Sequence, residues 1–290
     1  MKKHFPIFCA FLAAVLYALN APVSKLLLKS VPPTMMAAFL YLGAGAGMFI
    51  LGMVTKGSIG HKKEARLTKK DLPYTVAMIV LDILAPIFLM LGLERTTAEN
   101  ASLINNFEIV ATSLVALVLF REKISRRLWF AIGLITLSSA LLSIEDASSF
   151  QFSEGSVYVL AACVCWGFEN NMTRMLSQSD PKEIVVVKGL GSGTGALITA
   201  LIAGESFVRL PLILCVMALG FVAYGLSIYF YVYAQRYLGA ARTSAYYAVQ
   251  PFIGAALSLI FFRTLPGALF YPALLIMIFG TCLLVRDQKE

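Results

Sequence analysis

Charge is what this sequence has least of. Only 14% of its 290 residues are Asp, Glu, Lys or Arg, while 59% are hydrophobic and the mean hydropathy is +0.80. Soluble domains carry roughly a quarter charged residues, so the chain lacks the polar surface to cover a water-facing globule. Histidine is scarce too: His4 and His61 both lie in polar flanks. The cysteines (Cys9, Cys163, Cys165, Cys215 and Cys282) sit in apolar stretches without metal-ligand spacing. Cys163 and Cys165 point about 200° apart on a helix, which fits small buried residues better than a disulfide or redox centre. These shortages leave a Cys/His catalytic or zinc site without parts, so no catalytic residue, metal or cofactor is expected.

Long apolar runs are what the sequence does have. A bilayer crossing needs about 20 apolar residues. Ten windows qualify, near 5–28, 34–54, 72–93, 98–120, 127–144, 155–175, 183–203, 208–235, 240–262 and 267–285. Their linkers are too short for a separate soluble domain. The expected class is an all-α polytopic membrane protein with ten transmembrane helices. Assigning the first residues and every second loop to one side collects 18 of the 24 Lys and Arg there, including the GSIGHKKEARLTKKD cluster. The opposite loops hold five, and Lys188 lies within a window. This asymmetry puts both termini in the cytoplasm. It also accounts for the +8 net charge without nucleic acid, which would want a folded basic platform with stacking aromatics. The start, MKKHFPIFCAFLAAVLYAL, has the look of a signal peptide. It is read instead as the first crossing, because it has a partner later in the chain.

The chain repeats itself. Shifted by 148, GAGAGMFI (43–50) falls on GSGTGALI (191–198). Shifted by 149, Tyr17, Ser24, Lys25 and Pro32 fall on Trp166, Thr173, Arg174 and Pro181. Shifted by 142, SLINNFEIVATSLVALVLFR (102–121) falls on SAYYAVQPFIGAALSLIFFR (244–263). Two halves, 5–144 and 155–286, thus hold five windows each, and an odd number forces the second to insert upside down. Inverted repeats of this kind build transporters, with the substrate site near the midplane. The Gly43/Gly47 and Gly191/Gly195 pairs are small-xxx-small faces that let helices approach closely.

Two five-window halves, an aromatic-small pair in the first window of each (Tyr17-Ala18, Trp166-Gly167) and a Pro-containing ninth window resemble the EamA branch of the drug/metabolite transporter superfamily. The family often ends its fourth and ninth helices in a small residue plus Glu. Glu122 fits the first, whereas Arg263-Thr264 replaces the second, and Ile109 stands where the ninth window has Pro251. The resemblance implies an alternating-access carrier, most often an exporter of amino acids or related metabolites. Windows 1, 3, 4, 6, 8 and 9 would line its cavity.

Polar residues at membrane depth then mark the site. A charge at the bilayer centre costs at least about 2.5–3.5 kcal/mol, yet Asp82, Glu108 and Glu169 bear it. Ser102, Asn105 and Thr112 share a helical stripe with Glu108; Thr243 or Ser244, Tyr247, Gln250 and Gly254 form the matching stripe. Asn20 is the repeat partner of Glu169, and Asn170 and Asn171 follow it in CWGFENNM. The candidate substrate-binding set is Asn20, Asp82, Asn105, Glu108, Glu169, Asn170, Tyr224, Tyr247 and Gln250. The ordinary alternative for any one of them is helix-to-helix glue, or an ion pair with Lys188. Lys25 and Arg174 read as snorkelling end residues. Pro22, Pro86 and Pro251 free the carbonyls of Ala18, Asp82 and Tyr247, for a ligand or for a plain kink.

Seven of the 12 tyrosines fall between Tyr224 and Tyr247, and the repeat pairs Tyr224 with Asp82 and Tyr247 with Asn105. Carboxylates beside tyrosine faces suit an amine, a quaternary ammonium group or an aromatic amino acid. The leading expectation is a secondary active exporter of such a small molecule, coupled to protons through Glu108. Its repeat partner Gln250 is an uncharged mimic, so one half alone would titrate there, with Asp82 or Glu169 holding the substrate's amine. The rivals are an uptake permease for a cationic nutrient such as choline, an intramembrane enzyme, for which only carboxylates are to hand, and a receptor or scaffold, for which extramembrane surface is missing. The bilayer and a small-molecule substrate are the expected partners, and oligomeric state leaves no mark in the residues.

Overall fold

The computed structural model describes residues 5–55, 66–121, 125–142, 144–146, 151–177, 179–238, 243, 246–263 and 266–287. His4, His61, Glu122, Ser244, Thr264 and much of the KKEARLTKK loop lie outside them. The chain is an all-α polytopic membrane fold of ten crossings in two inverted five-helix repeats. Six spans, among them Pro33–Val54 and Pro181–Ile202, are long and apolar enough to cross a bilayer by themselves. The window at 155–175 forms a helix as long as these but is diluted by its own polar run.

Several windows are broken. The first is α1 (Phe5–Ala18) and α2 (Asn20–Leu27), parted at Leu19. Pro22 has no N–H to offer the Ala18 carbonyl, which is why the break falls there. Next come α3 (Pro33–Thr55) and α4 (Leu72–Arg95), the latter introduced by a turn in which Asp71 accepts from the Thr68 N–H at 2.8 Å. The fourth window is α5 (Ala98–Ile104) and α6 (Phe107–Phe120), followed by α7 (Arg126–Leu142). A small antiparallel pair, β1 (Ile144–Asp146) with β2 (Gln151–Phe152), joins the halves. The second half runs α8 (Glu154–Leu176), α9 (Pro181–Ile202), α10 (Leu210–Gly220), a π-helical turn (Phe221–Leu226), α11 (Ser227–Leu238), α12 (Gln250–Phe262) and α13 (Phe270–Asp287).

Packing repeats along with the sequence. Helix α4 lies on α8 as α11 and the π turn lie on α1, and α6 lies on α8 as α12 lies on α1. The pairs α3 with α9 and α7 with α13 are each their own image under exchange of the halves. Even the helix ends match: α6 and α12 stop at Arg121 and Arg263, both left-handed at φ 53° and 52°. That conformation costs a non-glycine residue roughly 1–2 kcal/mol, so its recurrence at repeat-related arginines is a property of the repeat.

The Gly43/Gly47 face receives Met217 and Phe221, and Gly191/Gly195 receives Ile79 and Ile83. The closest approach of α3 to α9 is made by other glycines: a Cβ on Gly189 would lie 2.4 Å from the Gly45 nitrogen. Apolar side chains such as Ile50, Val118, Ile202 and Ile260 point outward, as lipid solvation requires. Inside, the fourth window breaks at Asn105-Asn106 although it has Ile109 in place of proline. The turn is held by side-chain chemistry, with the Asn106 amide donating to Thr281 of α13 at 3.1 Å. Both half-helices α6 and α12 therefore begin near mid-membrane and aim their positive ends at the centre.

Candidate substrate and ion site

The run Glu169-Asn170-Asn171 occupies the middle of α8, and steps of about 100° send the three side chains to different neighbours. Glu169 meets Lys188 of α9 at 2.9 Å. Lys188 also meets Asp82 of α4 at 3.0 Å, so one ammonium joins two carboxylates. Their residues are 0% (Asp82), 2% (Glu169) and 5% (Lys188) exposed. The Tyr41 hydroxyl of α3 donates to Asp82 at 3.0 Å, and the Thr173 hydroxyl donates to Glu169. Breaking such a buried pair by deleting one partner costs about 3–5 kcal/mol. The sequence offered Asp82 or Glu169 for a substrate's amine, with an ion pair to Lys188 as the ordinary alternative; in the structure both carboxylates contact Lys188.

Asn170 turns toward α6, where its amide donates to Glu108 at 2.7 Å and to the Thr112 hydroxyl at 3.2 Å. Glu108 is only half-buried and sits in the first turn of α6, where the helix dipole favours a carboxylate. Its hydrogen-bond partner is a neutral amide, not a cation. Asn171 is glue: it donates to the Thr112 carbonyl at 3.1 Å and to the Gly167 carbonyl at 2.8 Å. Close passage of α8 over α6 depends on Gly167, whose Cβ would fall 2.5 Å from that of Ala111.

Across the pseudo-twofold the same scaffold carries neutral groups. The Asn20 side-chain amide donates to the Tyr224 hydroxyl at 3.0 Å, and the Ser24 hydroxyl donates to the Asn20 side-chain oxygen Oδ1 at 3.0 Å. Ser24 to Asn20 is the image of Thr173 to Glu169, and Asn20 to Tyr224 is the image of Glu169 to Asp82, with no lysine between them. Tyr224 lies in the π-helical turn, and its ring packs on Tyr17 and Tyr41 at 5.3 and 5.0 Å. Tyr247 stacks at an angle on Tyr17 and Tyr231.

A narrow cleft of about 10 Å³, room for roughly one water, is walled by Tyr17, Asn20, Ala21, Ser102, Asn105 and Gln250. The Ser102 hydroxyl is buried here with no hydrogen-bond partner among the described residues. One turn of α5 away opens a vestibule of about 620 Å³. It lies at the end of the bundle opposite the chain start, with Lys25, Glu94, Arg95, Glu99 and Asn100 in its wall. Lys25, read from sequence as snorkelling, donates to the carbonyls of Leu93, Glu94 and Thr96, capping the end of α4. The fold thus gathers Asp82, Glu108, Glu169 and Asn170 on one side of the centre and Asn20, Asn105, Tyr224, Tyr247 and Gln250 on the other. Tyr41 was not singled out in the sequence; nothing in its apolar window distinguishes it. Thr173 was visible as the repeat partner of Ser24.

Comparison with known proteins adds the following. The model of the EamA-like transporter family matches residues 4–144 and again 153–286. An uncharacterized transporter of Methanothermobacter thermautotrophicus is 28% identical over 268 residues, covering 87% of this chain and 77% of its own. YyaM, an uncharacterized transporter of Bacillus subtilis, is 21% identical over 78% of this chain and 76% of its own. YedA, an uncharacterized inner membrane transporter of Escherichia coli, is 22% identical over 88% and 83%. A crystal structure 17% identical in sequence aligns with 98% of this chain and 96% of its own at a TM-score of 0.70, a likeness of fold alone.

Proposed function

The chain belongs to the EamA-like transporter family, and from that premise we propose that it is a proton-coupled exporter of a small amine-bearing metabolite. Its halves, 5–144 and 155–286, would rock against each other so that the central site opens to alternate sides. Its relatives are named as uncharacterized transporters, YedA as an inner membrane one, which supports the class; substrate, direction and coupling are our reading.

One observation carries the coupling. Among the three intramembrane carboxylates, Glu108 alone is half-buried and bonded to a neutral amide, while Asp82 and Glu169 hold Lys188. A carboxylate without a fixed cation can exchange a proton for an incoming ammonium group at the same oxygens. Asn20, Asn105, Asn170, Tyr224, Tyr247 and Gln250 supply amides and ring faces around it, which suits the polar and aromatic parts of an amine or amino acid. Asp82 and Glu169 serve this site indirectly, by fixing α4, α8 and α9. The basic asymmetry of the loops puts both termini in the cytoplasm and the vestibule outside, which makes this an outward-facing arrangement.

The substrate is found by thermal-shift screening of the purified protein against amines and amino acids, since ligand binding raises the stability of the folded state. Glu108→Gln then abolishes gradient-driven transport in proteoliposomes and leaves ligand binding and substrate exchange largely intact. A Glu108→Gln variant that concentrates substrate at the wild-type rate overturns the assignment. The tyrosine faces also fit a quaternary ammonium nutrient taken up inward; flux under opposite proton gradients separates the two directions.

A further inference from the structure

The buried cluster in the charged lobe does not balance. Asp82 and Glu169 carry two negative charges when ionised, and Lys188 carries one positive charge. We propose that the Asp82–Lys188–Glu169 cluster is itself a proton-binding site, distinct from Glu108, which takes up one proton from water and becomes neutral. The two carboxylates share that proton, and Lys188 balances whichever one remains ionised. The inference rests on geometry and a charge count, and it stands whether or not Glu108 couples transport.

Among the described residues, Lys188 is the cation paired with Asp82 and Glu169, and the other groups at the cluster bring no positive charge. From α3 the cluster receives the Tyr41 hydroxyl, and from α8 the Thr173 hydroxyl, both of which donate without adding charge. Cys165 of α8 and Tyr224 of the π turn are near enough to feel Asp82, and both are neutral donors. From α6 comes Glu108, which adds negative charge near Glu169. Ionising all of these carboxylates would leave excess negative charge beside a single ammonium in a region that is shut off from water. A bound proton removes the imbalance without any new ligand.

The position gives the proton a structural consequence. Asp82 belongs to the first half, and Glu169 and Lys188 to the second. The site therefore lies on the seam along which the halves must move, and losing the proton leaves two anions sharing one cation across that seam. The equivalent place on the other seam holds Asn20 and Tyr224, which have no charge to balance.

Infrared difference spectra of the full-length protein in lipid, between alkaline and acidic buffer, read the C=O stretch of protonated carboxyl groups directly. Glu99, buried in the vestibule wall, contributes its own signal, so the readout is the difference between each variant and wild type. Asp82→Asn and Glu169→Gln should each lose one carboxylic-acid band, because the remaining carboxylate is matched by Lys188. Lys188→Met should gain one, as both carboxyls then have to be neutral. Glu108→Gln should keep the cluster's band, even if it has lost coupled transport. If Asp82→Asn and Glu169→Gln retain the full wild-type signal, the proposal fails. If those two variants do not fold, the Glu99→Gln/Glu108→Gln double variant decides: a surviving acid band supports the cluster, and its disappearance overturns it.

Discussion

Glu169 and Asn20 stand at equivalent points of the two repeats, each receiving a hydroxyl one turn further on, from Thr173 and Ser24. Around Glu169 the partners are ionic: Asp82 faces it across Lys188. Around Asn20 they are neutral: Tyr224 takes the place of Asp82, and Leu40 occupies the position that repeat numbering gives to Lys188. The outer ring of the site differs in the same sense. Asn170 reaches from α8 to α6 and bonds Glu108, whereas its counterpart Ala21 lines a cleft together with Gln250. One backbone plan has thus been given two chemistries. The lesson is that pseudo-symmetry preserves helix crossings while leaving each half free to specialise, because crossings depend on glycines and packing and the site depends on a few polar tips.

The comparison can be broken at its most expensive point first. Lys188→Met strands two buried carboxylates and should cost about 3–5 kcal/mol of stability, seen as a large drop in the melting temperature of the detergent-purified protein. The loss should shrink in acid, where both carboxyls can be neutral. A variant as stable as wild type at alkaline pH would mean the triad is not the keystone of the charged lobe.

Installing a charge in the neutral lobe is the reverse experiment. Asn20→Glu places a carboxylate where no lysine waits and should destabilise by about 2.5–3.5 kcal/mol. Adding Leu40→Lys should recover part of that, since it rebuilds the missing cation. If Asn20→Glu alone is harmless, the lobes are less different than their partners suggest.

The hydroxyl pair sharpens the contrast more gently. Thr173→Val removes a hydrogen bond to a charged group and should cost about 1.5–3 kcal/mol, while Ser24→Ala removes a neutral one worth about 1 kcal/mol. Equal losses in chemical or thermal melts would show that the hydroxyl on Glu169 is held no more strongly than the one on Asn20. Last, Ala21→Asn copies Asn170 into the neutral lobe and closes the cleft. Substrate binding should weaken about tenfold, which is about 1.4 kcal/mol, with the melting temperature of the ligand-free protein unchanged. Unaltered affinity in a titration would remove the cleft from the substrate site.

Much of this was legible in the residues. The windows around Gly43 to Gly47 and Gly191 to Gly195 gave both the crossings and the repeat, because a bilayer makes twenty apolar residues in a row mean one thing. Pro22 marked the break in the first window. The break at Asn105-Asn106 was harder to see, since Ile109 stands where the repeat has Pro251, and the turn is stabilised by Thr281, a contact from a distant helix. Glu169, Asn170 and Asn171 were visible as a polar anomaly, but not their separate fates as ion pair, carboxylate partner and interhelical glue.

What the sequence by itself determined is the set of crossings, their inverted pairing and the short inventory of polar groups at membrane depth. Each follows from a local rule: hydrocarbon thickness, an odd helix count, and the cost of burying polarity. Only the tertiary structure decided which of those groups face one another. Helical periodicity fixes the angle of a side chain about its own axis but says nothing about which neighbour lies on that side. Lys188 could have balanced any of the three carboxylates, and the packing of α9 against α4 together with that of α4 on α8 gives it to Asp82 and Glu169. Glu108 is left beside an amide for the same reason: α6 packs on α8, where Asn170 reaches it and Lys188 does not.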